Sequence, residues 1–131
     1  MSLAHLTLAT AEVEATARFL EEMLGYSRDA APANSPVETV WLAVGGGQQI
    51  HIVYVEDFAV SPFEGEFGRH IAILLPGREM IALRERLRAA GVQAMDPLRP
   101  SLRERFFFRE PVNGYVFEAI GDEGAPSRSR L

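Results

Sequence analysis

The chain contains no cysteine and no lysine, and each absence excludes a group of functions. Without cysteine there is no disulfide framework, no thiolate zinc site and no cysteine nucleophile. All 13 basic residues are arginine, so an imine-forming lysine and the lysine of a phosphate-binding loop are excluded as well. Any chemistry must therefore come from other residue types.

The chain also lacks a block of positive charge and a long hydrophobic run. Its formal net charge is -5, which argues against nucleic acid as the main partner. No apolar run approaches the length of a membrane span, and the N-terminus lacks a basic segment followed by an apolar one. We therefore expect a cytoplasmic protein without a membrane partner. At 131 residues and 47% hydrophobic content, the chain can form one substantial core.

What is present is a pattern of about sixty residues that occurs twice. Each copy begins with a short apolar run that contains a histidine, His5 in the first copy and His70 in the second. A helical stretch follows and ends at a glycine, Gly25 in one and Gly91 in the other. The spacing from histidine to glycine is 20 residues in the first copy and 21 in the second, so the copies stay in step.

The last apolar run of each copy contains a second polar landmark. His51 follows His5 by 46 residues, and Glu118 follows His70 by 48. The repeat therefore places four polar residues at two pairs of matching positions.

The periodicity predicts the same order of elements in each copy. Residues 3–9 alternate like a strand, and an apolar stripe at helical spacing follows, with Thr10 as the expected helix cap and Gly25 as its end. In the second copy, a helix over 79–90 is predicted to bury Met80, Leu83, Leu87 and Ala90 and to expose Arg84 and Arg88. Glycine-rich and Asn-Gly turns join the last two predicted strands of each half. Each half is thus predicted to be β-α-β-β-β.

These elements predict an α+β fold made of two tandem β-α-β-β-β modules related by a pseudo-twofold. We expect curved mixed sheets around a central cavity, with the helices on the outer face. Residues 1–121 form a single predicted domain, with module 1 at 1–57, a linker at 58–66 and module 2 at 67–121. Residues 122–131 are polar and are predicted to be a disordered tail.

The four polar residues are predicted to share the sheet face opposite the helices, because their neighbours along each strand are apolar. If the two sheets curl around a common cavity, three imidazoles and one carboxylate converge. This set suits a divalent ion such as Fe, Ni, Co, Zn or Mn. The candidate metal ligands are His5, His51, His70 and Glu118.

A purely structural role is the competing interpretation. A single histidine on a sheet is more often a core or rim residue than a ligand. Glu118 is harder to explain in this way, because an unpaired carboxylate among apolar neighbours costs several kcal/mol to bury. It needs a cation, a cluster of donors or solvent, and a strand that faces water on one side would supply the last of these.

The paired halves with His5, His70 and Glu118 resemble the vicinal oxygen chelate superfamily, which includes glyoxalases, bleomycin resistance proteins and extradiol dioxygenases. The resemblance covers residues 1–121 and implies a metal held by residues from the first and last strands of each half. This sequence differs from the family pattern at His51, where glyoxalase-like members more often have Glu or Gln. Before the final glutamate, Glu110-Pro-Val-Asn-Gly114 is one residue longer than the usual turn.

The resemblance implies that the metal binds two neighbouring oxygens of a small-molecule substrate and stabilises the charge that develops on them. Four protein ligands leave room for the substrate only, which favours isomerase or lyase chemistry with Glu118 as a displaceable catalytic base. Three ligands also leave room for dioxygen on iron, as in ring-cleaving dioxygenases. Thiol transfer to an antibiotic epoxide is a further possibility, with no thiol-substrate signature to support it.

A metal-free binding protein of the bleomycin-resistance type is the alternative from a different class. It would sequester a ligand between aromatic walls, for which Trp41, Phe63, Phe67 and Phe107 are the candidate pocket residues. For each of them taken alone, ordinary core or linker packing is the better explanation. The arginines at 99, 103, 105 and 109 could steer an anionic substrate, but a solvated charged face is the prediction we prefer. Unpaired sheet edges also predict a homodimer.

Overall fold

The computed structural model describes residues 1–122, so the predicted tail lies, apart from Asp122, outside the described residues. The chain divides into two compact units, of which the first spans Met1–Ala59 and the second begins at Val60. None of the helices among residues 1–122 is long and apolar enough to cross a membrane.

The first unit contains one helix and a four-stranded mixed sheet. In chain order its elements are β1 (His5–Thr10), α1 (Val13–Leu24), β2 (Ser27–Asp29), β3 (Thr39–Gly45) and β4 (Gln48–Tyr54). The strand order across the sheet is β1-β4-β3-β2, and β1 runs parallel to β4 while the other pairs are antiparallel.

The second unit has the same architecture. Its elements are β5 (Ile71–Leu75), α2 (Glu79–Ala89), β6 (Ala94–Met95), β7 (Arg105–Arg109) and β8 (Val116–Gly121). The order β5-β8-β7-β6, with β5 parallel to β8, matches that of the first unit strand for strand. The predicted α+β class and the two β-α-β-β-β halves are therefore confirmed.

Helix α1 ends as predicted but begins differently. Gly25 adopts a left-handed φ of 73° and donates its N–H to Glu21 O, as glycine does best at a helix end. The predicted cap at Thr10 is wrong, because the cap residue is Glu12. Strand pairing continues to the end of β1, where Thr10 O accepts the N–H of Val55 at 2.9 Å. The Thr10 hydroxyl instead accepts the N–H of Glu12 at 3.0 Å.

Helix α2 buries Met80, Leu83 and Leu87 as predicted, but two of its other residues differ from expectation. Ala90 is exposed because it lies beyond the last helical turn. Arg84 is not simply solvated, since its guanidinium lies over the ring of Phe106 at 4.2 Å from the centroid. An arginine stem and its planar head can cover an aromatic ring in this way while the charge stays near water.

The helix and sheet of each unit pack through one apolar sheet face. Helix α1 contacts β3 and β4, and helix α2 contacts β6 and β8. The sheet residues of this face that are fully or almost fully buried are Leu8, Leu42, Ile50 and Ile52 in the first unit and Phe106, Phe108, Phe117 and Ala119 in the second. Because side chains alternate along a strand, the residues between them lie on the other face, which carries the histidines and Glu118.

Candidate metal centre

The strand register places equivalent residues of the two units in matching rows across their sheets. Residues directly opposite one another on neighbouring strands share a face. The row through the middle of the first sheet is Asp29, Trp41, His51 and Thr7, and the corresponding row of the second is Met95, Phe107, Glu118 and Ala72. His51 and Glu118 therefore occupy the same position in the two halves, as do Trp41 and Phe107.

In the second unit, His70 and Glu118 face each other through two atoms that both favour a cation. His70 Nδ1 lies 3.1 Å from the carbonyl oxygen of Gly65, which can only accept, so Nδ1 carries the proton. In the neutral ring, Nε2 then presents a lone pair, and it lies 3.2 Å from Glu118 Oε1. Two acceptors at this distance are satisfied by a second proton on the ring or by a metal ion between them.

Arg105 holds the other oxygen of Glu118. Its Nη1 donates to Glu118 Oε2 at 2.8 Å, and both side chains are almost fully buried. This corrects the prediction that Arg105 belongs to a solvated face. The alternation of β7 explains the difference, because Phe106 and Phe108 take the helix-facing positions and so direct Arg105 to the face of Glu118. The exposed side chains at 99, 103 and 109 agree with the prediction.

Glu66 connects this ion pair to a neighbouring loop. Its carboxylate accepts the backbone N–H groups of Leu98 at 2.7 Å and Arg99 at 3.0 Å, and it lies 3.4 Å from Arg105 Nη2. Desolvation raises the pKa of Glu66, but the two backbone donors and Arg105 outweigh it and leave the pKa below its ordinary value. Glu66 is therefore ionised at neutral pH and helps to fix Arg105.

The Gly65 carbonyl that orients His70 belongs to a tight turn. Arg69 N–H donates to Phe63 O at 2.9 Å, and Gly65 N–H donates to Arg69 O at 3.0 Å. Gly68 completes the turn, and a Cβ placed there would lie 1.9 Å from Phe63 O. Only glycine fits this position without a shift of the backbone.

Gly68→Ala is accordingly expected to lower the free energy of unfolding by about 1–3 kcal/mol, as overpacking does elsewhere, and to disturb His70 through Gly65. Urea denaturation measures the first effect, and the NMR resonances of the His70 ring report the second. Gly65→Ala is the matched control, because a Cβ there meets nothing within 4 Å. Equal behaviour of the two variants would contradict the role assigned to the turn.

In the first unit, His51 lies between two other rings. Its ring stacks on His5 and on Trp41, each with a centroid separation of 3.8 Å and an angle between the planes of 15° or less. His51 is buried, and this desolvation, together with the charge of His5, lowers its pKa. The neutral form is therefore favoured, which is the form that binds metal ions.

A hydrogen-bonded chain fixes the tautomer of His51. Gln49 Nε2 donates to Asp29 Oδ2 at 2.8 Å, so the amide oxygen of Gln49 faces His51 Nε2, also at 2.8 Å. His51 Nε2 therefore carries the proton, and Nδ1 has the free lone pair. In this arrangement His51 could offer only Nδ1 to a metal unless Gln49 moves.

The structure thus brings the four predicted ligands together in two pairs, His5 with His51 and His70 with Glu118. Within residues 1–122, no three or more His, Cys, Asp or Glu side chains gather in a group that could hold a metal ion.

Of the predicted pocket residues, Phe107 is buried against the edge of the His70 ring, with a centroid separation of 5.3 Å. Trp41 stacks on His51, as described above. Phe63 and Phe67 are each 73% exposed. They lie in the turn that precedes β5, whereas Trp41 and Phe107 lie on the sheets.

The distance between His70 and Glu118 suits a shared metal ion. Nitrogen and oxygen ligands lie about 2.0–2.2 Å from a divalent metal, so two ligands at a right angle are about 3.0 Å apart and two at the tetrahedral angle about 3.4 Å. The observed 3.2 Å lies between these values. The Gly65 carbonyl also supplies the hydrogen bond that typically orients a metal-binding histidine.

Each of the two β-α-β-β-β units carries one candidate ligand pair, and the two pairs occupy equivalent positions in their sheets. The model of the glyoxalase/bleomycin resistance protein/dioxygenase superfamily matches residues 2–119. The chain belongs to this superfamily, as its sequence predicted. No curated protein matches the chain.

Solved structures that are similar to this chain have the same fold. The genomically encoded fosfomycin resistance protein FosX from Listeria monocytogenes is 23% identical, with a TM-score of 0.72, over 99% of this chain and 95% of FosX. A mutant of FosX complexed with Mn(II) and 1S,2S-dihydroxypropylphosphonic acid is 21% identical, with a TM-score of 0.71, over 99% and 96% of the two chains. A glyoxalase family protein from Bacillus anthracis is 20% identical, with a TM-score of 0.75, over 94% and 96%.

Arg105, Glu66 and Gln49 are the site residues that sequence reasoning did not assign. The role of Arg105 could have been predicted from the sequence. Side chains alternate along β7, so Arg105 shares a face with Phe107, while Phe106 and Phe108 occupy the other face. Gln49 alternates with His51 in the same way on β4. Glu66 gave no such signal, since its role depends on a loop more than thirty residues away.

Proposed function

We propose that this protein is a divalent-metal-dependent enzyme that acts on a small molecule with two neighbouring oxygens. His70 and Glu118 are the core of the proposed ligand set, and the family resemblance adds His5 and leaves His51 as a fourth candidate. The observation that carries the proposal is the pair of facing acceptors, His70 Nε2 and Glu118 Oε1, at 3.2 Å. Glu118 is almost fully buried and His70 partly so, and Arg105 meets only Glu118 Oε2. A cation between Oε1 and His70 Nε2 would therefore still relieve the close approach of two acceptors.

When bound, the metal would supply Lewis acidity to the two substrate oxygens. The residues of this chain would do the rest. Gly65 fixes the ring of His70, and Arg105 holds Glu118 Oε2 so that Oε1 stays directed at His70. Glu118 Oε1, the carboxylate oxygen that Arg105 does not hold, could accept a proton from the substrate, which is the role expected of a catalytic base.

The FosX complex supports the class of substrate. The FosX mutant described above was crystallised with Mn(II) and a phosphonic acid that bears hydroxyl groups on neighbouring carbons. Mn(II) is among the metals expected from the ligand types of this chain, and vicinal oxygens are the expected chelating group. For this chain we propose two alternative reaction classes, an isomerase or lyase reaction and ring cleavage with dioxygen.

The direct test is the metal content of the purified protein. The protein should be prepared without a histidine tag, because all three of its histidines are candidate ligands. After separate incubation with Fe, Mn, Ni, Co and Zn and removal of unbound ions, we expect one equivalent of metal per chain by mass spectrometry. Protein that stays metal-free with all five ions would overturn the enzyme proposal.

His51→Ala separates the two reaction classes. If His51 is a ligand, the variant should lose metal affinity by a factor of about 10–100 or more, since even supporting residues have effects of that size. If His51 lies outside the ligand set, metal content should persist and only turnover should change. Oxygen uptake with catechols by the iron-loaded protein supports ring cleavage, whereas anaerobic turnover of 2-oxoaldehyde–thiol adducts or acyl thioesters supports the isomerase or lyase class.

The second candidate function is metal-free sequestration of a ligand, in the manner of a bleomycin resistance protein. One observation favours it, because Arg105 already neutralises Glu118 and Gln49 already occupies His51 Nε2. In that case the stacked Trp41 and the buried Phe107 would serve as aromatic walls. Bleomycin binding to metal-free protein by calorimetry, without any metal uptake, would favour this candidate over the enzyme.

We also propose that the protein is a homodimer, as the unpaired sheet edges suggest. The outer edges of the two sheets are the strands β1 and β2 and the strands β5 and β6, and exposed edges are commonly covered by association. Light scattering should give the mass of two chains, and a single-chain mass throughout the micromolar range would contradict the proposal.

A further inference from the structure

The second unit contains a cavity of about 180 Å³ on the sheet face that carries His70 and Glu118. Met95 and Phe107 line it, and both lie in the same cross-strand row as Glu118. Val116 lines it as well and lies two residues before Glu118 on β8. The cavity therefore lies on the β6–β7 side of the candidate metal ligands, on the same surface of the sheet.

Two contacts join the cavity directly to His70. Phe107 lines the cavity and also contacts the His70 ring edge to face. Gly65 also lines the cavity, and its carbonyl is the group that orients His70. A substrate chelated beside His70 would thus lie about one side chain away from the cavity.

The walls of the cavity are mainly apolar. Met95, Leu98, Phe107 and Val116 contribute hydrocarbon or thioether surface. Of the polar residues, Glu66 is already occupied by two backbone N–H groups and Arg105. The others, Asp96 and Arg109, are exposed and so lie toward solvent. A group that enters the cavity deeply would meet apolar atoms.

The first unit has polar residues at the corresponding positions. Asp29 is equivalent to Met95, and Gln49 is equivalent to Val116, because each occupies the same place in the register of its sheet. Asp29 and Gln49 are hydrogen-bonded to each other at 2.8 Å. The apolar walls are therefore a specific feature of the second half and do not follow from the repeat.

We propose that this cavity receives an apolar substituent of the substrate, about the size of a phenyl ring or a branched chain of four to six carbons. The size follows from the volume, since an apolar cavity of about 150 Å³ binds benzene. This inference rests on the proposed function, because it assigns the cavity to a substrate whose two oxygens are held by the metal. It narrows the substrate class to compounds with an apolar group next to the chelating oxygens.

The first part of the test uses metal-free protein and fluorobenzene, with binding followed by ¹⁹F NMR. The wild type should bind, and Val116→Phe should lose at least tenfold in affinity because the added ring fills the cavity. Met95→Trp, which adds a two-ring side chain, is the second filling variant, in case the buried Val116 does not tolerate the change. Ala72→Val is the matched control, because Ala72 lies on the same face on the far side of Glu118 and does not line the cavity.

The second part uses Mn(II)-loaded protein and two hydroxamates, which chelate through neighbouring oxygens. Benzohydroxamate should bind about 10–100-fold more tightly than acetohydroxamate, the gain expected from burial of a ring-sized apolar group. The ratio should fall toward one in Val116→Phe and Met95→Trp and stay unchanged in Ala72→Val. A comparison of ratios removes the difference in intrinsic metal affinity between the two probes.

The outcomes separate this inference from the proposed function. If both hydroxamates bind the loaded protein but the ratio is the same in wild type and filled variants, the metal site stands and the cavity assignment is wrong. If fluorobenzene does not bind the wild type, the cavity assignment is also wrong. If fluorobenzene binds but the protein takes up no metal, the proposed function fails, and with it the assignment of the cavity to a chelated substrate.

Discussion

Arg105→Ala is expected to lower the free energy of unfolding of the metal-free protein by about 3–5 kcal/mol. The substitution leaves Glu118 buried without its arginine partner, and it also removes a donor from Glu66. Loss of one member of a buried ion pair is costly because the remaining charge is neither solvated nor neutralised. Urea denaturation followed by circular dichroism measures the change.

Arg109→Ala is the matched control for this experiment. Arg109 lies on the same strand and the same face, four residues after Arg105, but it is exposed, and its Nη1 donates to Gly114 O. We expect it to change stability by less than about 1 kcal/mol, as is usual for exposed charged residues. A second comparison is Arg105→Met with Glu118→Leu, which removes both charges and should recover most of the loss.

A loss of under 1 kcal/mol for Arg105→Ala would show that solvent reaches Glu118 and would contradict the buried ion pair. The proposed metal adds a further expectation. If a divalent ion lies beside Glu118, it replaces part of the missing positive charge, so saturating Mn(II) should reduce the penalty of Arg105→Ala. The same unfolding experiment with and without Mn(II) measures this difference.

His70→Ala is expected to weaken divalent metal binding by at least about 100-fold. Glu118→Gln is expected to weaken it by a slightly smaller factor. Loss of a supporting residue already weakens metal affinity by about 10–100-fold, and removal of a direct ligand should exceed that range. His70 Nε2 is the better-defined donor, because Gly65 fixes both its tautomer and its orientation. Isothermal titration of metal-free protein with Mn(II) measures the affinity.

The control for this experiment is Glu85→Gln, which neutralises a carboxylate on the exposed surface of α2. It changes the net charge by the same amount as Glu118→Gln and should leave metal affinity unchanged. Circular dichroism must show that each variant is folded at the titration temperature. Mn(II) affinity within threefold of wild type in folded His70→Ala would remove His70 from the ligand set and, with it, the observation on which the proposed function rests.

Much of the fold was predictable because it depends on local patterns. Apolar residues recur every two residues in a strand and about every 3.6 residues in a helix, and a glycine often marks a helix end. The same alternation assigned His51 and Glu118 to the face away from the helices, since their neighbours on both sides are apolar. The repeat then made the two halves equivalent, and the identical strand orders confirm that equivalence.

What the sequence did not determine is the set of partners around these residues. The pairing of Arg105 with Glu118 and the contact of Glu66 with Leu98 join residues 13 and 32 positions apart. The chain of Asp29, Gln49 and His51 likewise depends on β2, β3 and β4 being neighbours in one sheet.

The physical reason is that the local backbone conformation decides which face of a strand or helix a side chain occupies. The residue that this side chain contacts depends instead on strand register and on where the loops lie. Arg105 and Arg109 show the consequence, because both lie on the same face of β7. One is buried against Glu118 and the other is exposed. The sequence by itself determined the two β-α-β-β-β halves and the face on which the histidines and Glu118 lie. Only the tertiary structure decided which charges are buried together and which aromatic rings line the cavity, because those outcomes depend on contacts between segments far apart in the chain.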